Sequence, residues 1–128
     1  MINEILKCTK ELKLLYVEDD KLIQSAYGDL FSSLFSSVLI ADDGIDALEK
    51  YKNGDFDLII SDIRMPNMSG TKFIREIRKT DKDIAVIIYS AWNDLEKSEF
   101  SDELNISGYM TKPIQTDSML EIFKKVLC

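Results

Sequence analysis

Apolar residues in this chain fall into two rhythms: short continuous runs, and longer stretches where they recur at every third or fourth position. The runs are Leu14-Leu15-Tyr16-Val17, Val38-Leu39-Ile40-Ala41, Leu58-Ile59-Ile60, Ile84–Tyr89 and Gly108-Tyr109-Met110-Thr111. Each reads as a short strand, and Leu58-Ile59-Ile60 suits one buried on both faces of a parallel sheet, although length alone also fits a helical fragment there. Between them, Lys21 to Phe35 carries Leu22, Ile23, Tyr27, Leu30, Phe31 and Leu34 at helical spacing, after Asp20 as a helix cap. Ile45–Lys52 turns Ala47, Leu48 and Tyr51 inward, and Gly70–Lys79 turns Phe73, Ile74 and Ile77 inward. Asp94–Asn105 has only Leu95, Phe100 and Leu104 for an inward stripe. A last helix runs from Asp117, read as its cap, to Leu127. Residues 2–11 form a short helix or a loose arm, so 1–12 reads as an extension and 13–128 as one domain.

Strands alternating with helices predict a parallel sheet covered on both faces. Right-handed crossovers then bring the C-terminal ends of all five strands to one rim. The strand ends carry chemistry: Glu18-Asp19 after the first, Asp62 after the third, Ser90 after the fourth and Lys112 after the fifth. Open α/β sheets place ligands on that rim.

Composition narrows what the rim does. With 128 residues, 45% hydrophobic and 30% charged, the chain suits one globular domain. A net charge of -7 without a clustered basic face argues against direct nucleic-acid binding. No apolar run is long enough to span a membrane, and residues 1–10 lack a signal-peptide core. Cys8 and Cys128 lie near opposite ends, which suggests neither a disulfide framework nor a metal site but reduced thiols in a cytoplasmic setting. The chain has no histidine, which removes Ser-His-Asp and Cys-His nucleophiles and histidine-ligated zinc. Clustered carboxylates with oxygen donors alone favour a hard cation such as Mg²⁺. Acids, a divalent ion, a lysine and a hydroxyl together suit a phosphoryl group.

Val17-Glu18-Asp19-Asp20, Ala41-Asp42-Asp43-Gly44 with Ala47-Leu48, Ser61-Asp62-Ile63-Arg64-Met65-Pro66 with Gly70, Ser90-Ala91 and Gly108–Pro113 resemble the receiver domain of bacterial two-component response regulators. The resemblance runs from Lys13 to Leu127. It implies a flavodoxin-like, doubly wound three-layer α/β/α sandwich with strand order 2-1-3-4-5. It implies that Asp62 accepts a phosphoryl group from a sensor histidine kinase or histidine phosphotransfer protein. Asp19 and Asp62 then bind Mg²⁺ directly, Glu18 through water, and the Arg64 backbone carbonyl completes the set, with Mn²⁺ or Ca²⁺ able to substitute. Lys112, Ser90 and the Ala91 backbone N–H hold phosphate oxygens, and the Lys112-Pro113 peptide is cis. Ser90 and Tyr109 form a switch pair that controls a downstream protein or output domain through the 94–128 face, as a monomer or a phosphorylation-dependent dimer. Arg64 and Trp92 overhang the pocket, where the bulk of Trp92 is expected to slow hydrolysis.

Two other classes compete. Haloacid-dehalogenase-type phosphatases need an acid where Arg64 stands, and Toprim-type nucleases need an Asp-x-Asp that Ser61–Arg64 lacks. A pseudo-receiver that binds partners without phosphate is disfavoured by the intact acid, Asp, Ser and Lys set.

Overall fold

The computed structural model describes residues 2–91 and 102–128. Five parallel strands, β1 (Lys13–Val17), β2 (Ser37–Ala41), β3 (Leu58–Ser61), β4 (Ala85–Ser90) and β5 (Gly108–Thr111), pair in the order β2-β1-β3-β4-β5. The helices are α1 (Ile2–Thr9), α2 (Lys21–Leu34), α3 (Gly44–Asn53), α4 (Gly70–Arg78) and α5 (Thr116–Leu127). This is the parallel sheet that the alternating pattern predicts, in the flavodoxin-like order that the resemblance implies.

Two apolar layers sandwich the sheet. Leu14, Tyr16, Leu58, Ile60, Ile87 and Tyr89 face Phe31, Phe35, Met119 and Phe123 on one side. Leu15, Val17, Ile59, Val86 and Ile88 face Ala47, Phe73, Ile74 and Ile77 on the other. Successive strand residues point to opposite faces, so a run buried on both sides must be apolar throughout. At about 25 cal/mol per Å² of apolar area buried, these layers supply the main drive to fold.

Several local expectations change. Residues 2–11 are helical over α1, with Ile5 fully buried, Thr9 Oγ1 donating to Leu34 O at 2.7 Å, and the helix packed on α5. Leu22 is 84% exposed and does not join the inward stripe of α2, which runs through Gln24, Gly28, Phe31 and Leu34. At 100° per residue, Leu22 lies on the far side of the helix from Gln24. Asp20 does cap α2, accepting from Leu22 N and Ile23 N. Helix α5 begins at Thr116 after Gln115, so Asp117 sits in its first turn instead of capping it. Of the helix expected over Asp94–Asn105, residues 94–101 lie outside the described residues, and Asp102–Leu104 form a single 3₁₀ turn.

The expectation of two separate thiols is overturned. Packing α1 on α5 brings Cys8 and Cys128 to a Cα–Cα distance of 5.4 Å, and they form a disulfide. Distance along the chain concealed their neighbourhood because the first and last helices cover the same face of the sheet.

Candidate functional site

Register assembles the site. Val17 pairs with Ser61, Ser61 with Ile88, and Ser90 with Thr111. The residues that follow β1, β3 and β5, namely Glu18, Asp62 and Lys112, therefore emerge side by side. Backbone bonds continue the ladder past the strand ends: Asp62 N donates to Val17 O at 3.1 Å and Lys112 N to Ser90 O at 2.9 Å. Beyond Asp62 the loop folds back so tightly that a Cβ on Gly70 would stand 1.8 Å from the Asp62 carbonyl oxygen. Only glycine fits there, and Gly70 N donates to Ile63 O at 2.8 Å.

Asp62 is 5% exposed and both of its carboxylate oxygens are engaged. Oδ1 accepts from Ser90 Oγ at 2.9 Å and from Ile63 N at 2.7 Å. Oδ2 accepts from Lys112 Nζ at 2.6 Å. The same ammonium donates to Glu18 Oε1 at 2.9 Å. Glu18 is fully buried and also accepts from Tyr89 OH through Oε1 and from Asp20 N through Oε2 at 3.1 Å. Its backbone oxygen accepts from Gln24 Nε2, which also reaches Asp42 Oδ1 at 2.8 Å.

Burial pushes the Glu18 carboxyl pKa upward, but the Tyr89, Lys112 and Asp20 donors outweigh it and hold the group below the usual range. Asp19 moves the other way, raised by partial burial, its contact with Glu18 and the nearby Asp62 charge. Burial works against the Lys112 charge, yet Asp62 and Glu18 lift its pKa above that of an ordinary lysine.

One carboxylate oxygen from each of Glu18, Asp19 and Asp62 lies within 4.8 Å of the other two. Like charges about 4 Å apart repel by roughly 4 kcal/mol at an effective dielectric near 20, so the trio favours a neutralising cation. Oxygen donors alone fit a hard divalent ion of the Mg²⁺ class.

Of the other expected residues, Ala91 is exposed beyond the end of β4, and Arg64 is exposed in the loop after Asp62. Tyr109 lies on edge strand β5, opposite Ile88, and is 44% exposed. The Lys112-Pro113 peptide is cis. Trp92 lies outside the described residues. Sequence reasoning missed Tyr89, Tyr16 and Gln24. The available signal was a tyrosine inside an otherwise aliphatic strand buried on both faces, because a buried hydroxyl needs a partner.

Known proteins resemble this chain in sequence and in fold. The chain is 30% identical over 120 residues to chemotaxis protein CheY-3 of Vibrio cholerae, covering 91% of this chain and 92% of that protein. It is 33% identical over 103 residues to the Regulator of RpoS of Escherichia coli K12, covering 80% of this chain. The matched region is only 31% of that relative's length, so the chain spans about a third of it. Chemotaxis response regulator CheY4 of Vibrio cholerae superposes with a TM-score of 0.80 at 27% identity, over 92% of this chain and 100% of that one. The receiver domain of Saccharomyces cerevisiae Ssk1, solved with the histidine phosphotransfer protein Ypd1, shares the fold at a TM-score of 0.79 and 20% identity, over 94% and 91% of the two chains. The response regulator receiver domain profile matches residues 14–124. With that match spanning nearly the whole chain, the protein belongs to the response regulator receiver domain family of two-component signalling.

Proposed function

We propose that Asp62 accepts a phosphoryl group from a phosphohistidine on a sensor histidine kinase or histidine phosphotransfer protein. The observation that carries this is Asp62 itself, held at a strand end between a hydroxyl, a backbone N–H and an ammonium. An Asp62 oxygen forms the new O–P bond as the N–P bond of the donor breaks, and the imidazole leaves with the electron pair and takes up a proton. Glu18, Asp19, Asp62 and the Arg64 carbonyl would hold Mg²⁺, which would supply neutralising charge for the transferred group. Lys112, the Ser90 hydroxyl and the Ala91 N–H take its oxygens. Such positioning and charge neutralisation account for most phosphoryl-transfer catalysis.

Phosphorylation then biases two packings of Ser90 and Tyr109, a population shift read by a downstream protein or output domain on the 94–128 face. The chain thus acts as a signalling module whose chemistry is confined to its own Asp62. A histidine phosphotransfer protein as donor accords with the pairing of Ypd1 with the Ssk1 receiver domain, a neighbour in fold. Incubation with Mg²⁺ and acetyl phosphate, followed by intact mass, tests the proposal. A gain of one phosphoryl unit that disappears in Asp62→Asn is expected, and no gain with any donor overturns it in favour of a phosphate-independent binding module.

A further inference from the structure

Beneath the rim lies a buried tyrosine cluster that the phosphoryl chemistry does not itself use. Tyr16 and Tyr89 are both fully buried on the same face of the sheet, and their hydroxyls are 2.7 Å apart. The single proton of Tyr89 goes to Glu18 Oε1, so Tyr16 donates to Tyr89 and the pair forms a directed chain ending on a carboxylate. The ring of Tyr89 also lies beneath Lys112, whose Nζ is 4.8 Å from the ring centroid. That distance permits a cation–π contact. Tyr27 packs edge-on to Tyr89, with centroids 6.1 Å apart, and its hydroxyl accepts from Ile114 N at 3.1 Å, just beyond Pro113.

We propose that Tyr89 is a positioning residue for the ion and phosphoryl site, orienting Glu18 through its hydroxyl and Lys112 through its ring face. This rests on the phosphoryl-acceptor reading above. The fully buried ring packs between Tyr16 and Tyr27, and that close packing restrains its hydroxyl as a donor. Glu18 is thereby tied at Oε1 by Tyr89 and Lys112 and at Oε2 by the Asp20 N–H. Without the Tyr89 hydroxyl, Oε1 keeps only a mobile ammonium, and the carboxylate turns with it. Outer-shell donors to metal ligands are worth about 10–100-fold in metal affinity.

The test is Mg²⁺ affinity by titration calorimetry on the wild type, Tyr89→Phe, Tyr16→Phe and Tyr51→Phe, with thermal unfolding of each. Tyr89→Phe keeps the ring and is expected to raise the Mg²⁺ dissociation constant by about tenfold. Tyr16→Phe leaves Tyr89 in place without its donor, moves affinity the same way by less, and keeps the test open if Tyr89→Phe fails to fold. Tyr51→Phe also deletes a hydroxyl bonded to a carboxylate, that of Asp81, but away from the site, and is expected to lower stability without changing affinity. The rate of phosphorylation by acetyl phosphate should need more Mg²⁺ in Tyr89→Phe but recover at saturation. Tyr89→Leu, which also removes the ring under Lys112, should stay slow at saturation. A folded Tyr89→Phe with affinity within about twofold of wild type, below the usual outer-shell effect, overturns the positioning role alone. A wild type that binds no Mg²⁺ overturns both this role and the phosphoryl-acceptor reading.

Discussion

The Lys112 ammonium lies 2.6 Å from Asp62 Oδ2 and 2.9 Å from Glu18 Oε1, so a single cation is shared by two carboxylates that are almost wholly buried. Removing one partner of a buried ion pair leaves uncompensated charge and costs about 3–5 kcal/mol. Lys112→Met is expected to lose about 3 kcal/mol of stability by urea unfolding in metal-free buffer, near the lower end of that range because Nζ is partly solvated. Added Mg²⁺ should recover part of the loss, since a second cation then meets the same acids. A loss of equal size with and without Mg²⁺ counts against a shared site.

Mg²⁺ should also stabilise the wild type. A ligand that binds only the folded state adds about 2.7 kcal/mol at 100 times its dissociation constant. Melting temperature should rise with Mg²⁺ concentration and fall back on chelation. Asp19→Asn, which removes one of the three clustered carboxylates, should rise less.

Gly70 is a steric requirement of the Asp62 loop. A methyl group there meets the Asp62 carbonyl and Ser61 Oγ, and the first contact is with backbone that cannot step aside. Overpacking typically costs about 1–3 kcal/mol, and Gly70→Ala is expected at or above the top of that range. Because the displaced atoms belong to Asp62, phosphorylation by acetyl phosphate should fall as well. Gly28→Ala, whose new Cβ meets only the end of the Ile40 side chain at 3.1 Å, should be milder.

The Cys8–Cys128 bridge closes a loop across 120 positions. In the chain-entropy account a 100-residue loop contributes about 4.7 kcal/mol, although native strain commonly reduces it. Dithiothreitol is expected to lower the melting temperature of the wild type and leave that of Cys8→Ser unchanged. Peptide mapping without reductant should recover the linked terminal peptides; free thiols at both positions in oxidising buffer would refute the pairing.

Acid stability should report on Asp81. Its carboxylate accepts from Tyr51 OH at 2.7 Å and from the backbone N–H groups of Asp83 and Ile84, each at 3.0 Å, and these hold its pKa below the usual value. A depressed carboxyl stabilises the fold above its unfolded pKa of about 3.9 and loses that contribution as pH falls through the lower folded value. Burial and the same bond push Tyr51 up to about 12. Its contribution is therefore whole below the unfolded value of about 10 and is lost as pH rises toward that folded value. Asp81→Asn should cost about 1 kcal/mol at neutral pH and flatten the acid limb of a stability–pH curve.

The strands, most helices and the identity of the rim residues were legible from the amino-acid order, because each depends on local pattern. A short apolar run flanked by helices reads as a strand of a parallel sheet, and a charged residue at its C-terminal end leaves the sheet on the ligand side. The order of chemistry-bearing residues along the chain, Glu18-Asp19, Asp62, Ser90 and Lys112, was legible for the same reason. Features that depend on contact between distant segments emerged with the folded packing. Leu22 faces outward because the neighbouring sheet, not the helix alone, chooses the buried side. Cys8 meets Cys128 because the first and last helices share a face. Tyr16 and Tyr89 read as ordinary strand residues until β1 and β4, on either side of β3, bring their hydroxyls together under Glu18. Hydrophobic periodicity records how much of a residue is buried, whereas a buried polar group's role also depends on partners that reach it from distant segments, as Tyr89 and Lys112 reach Glu18.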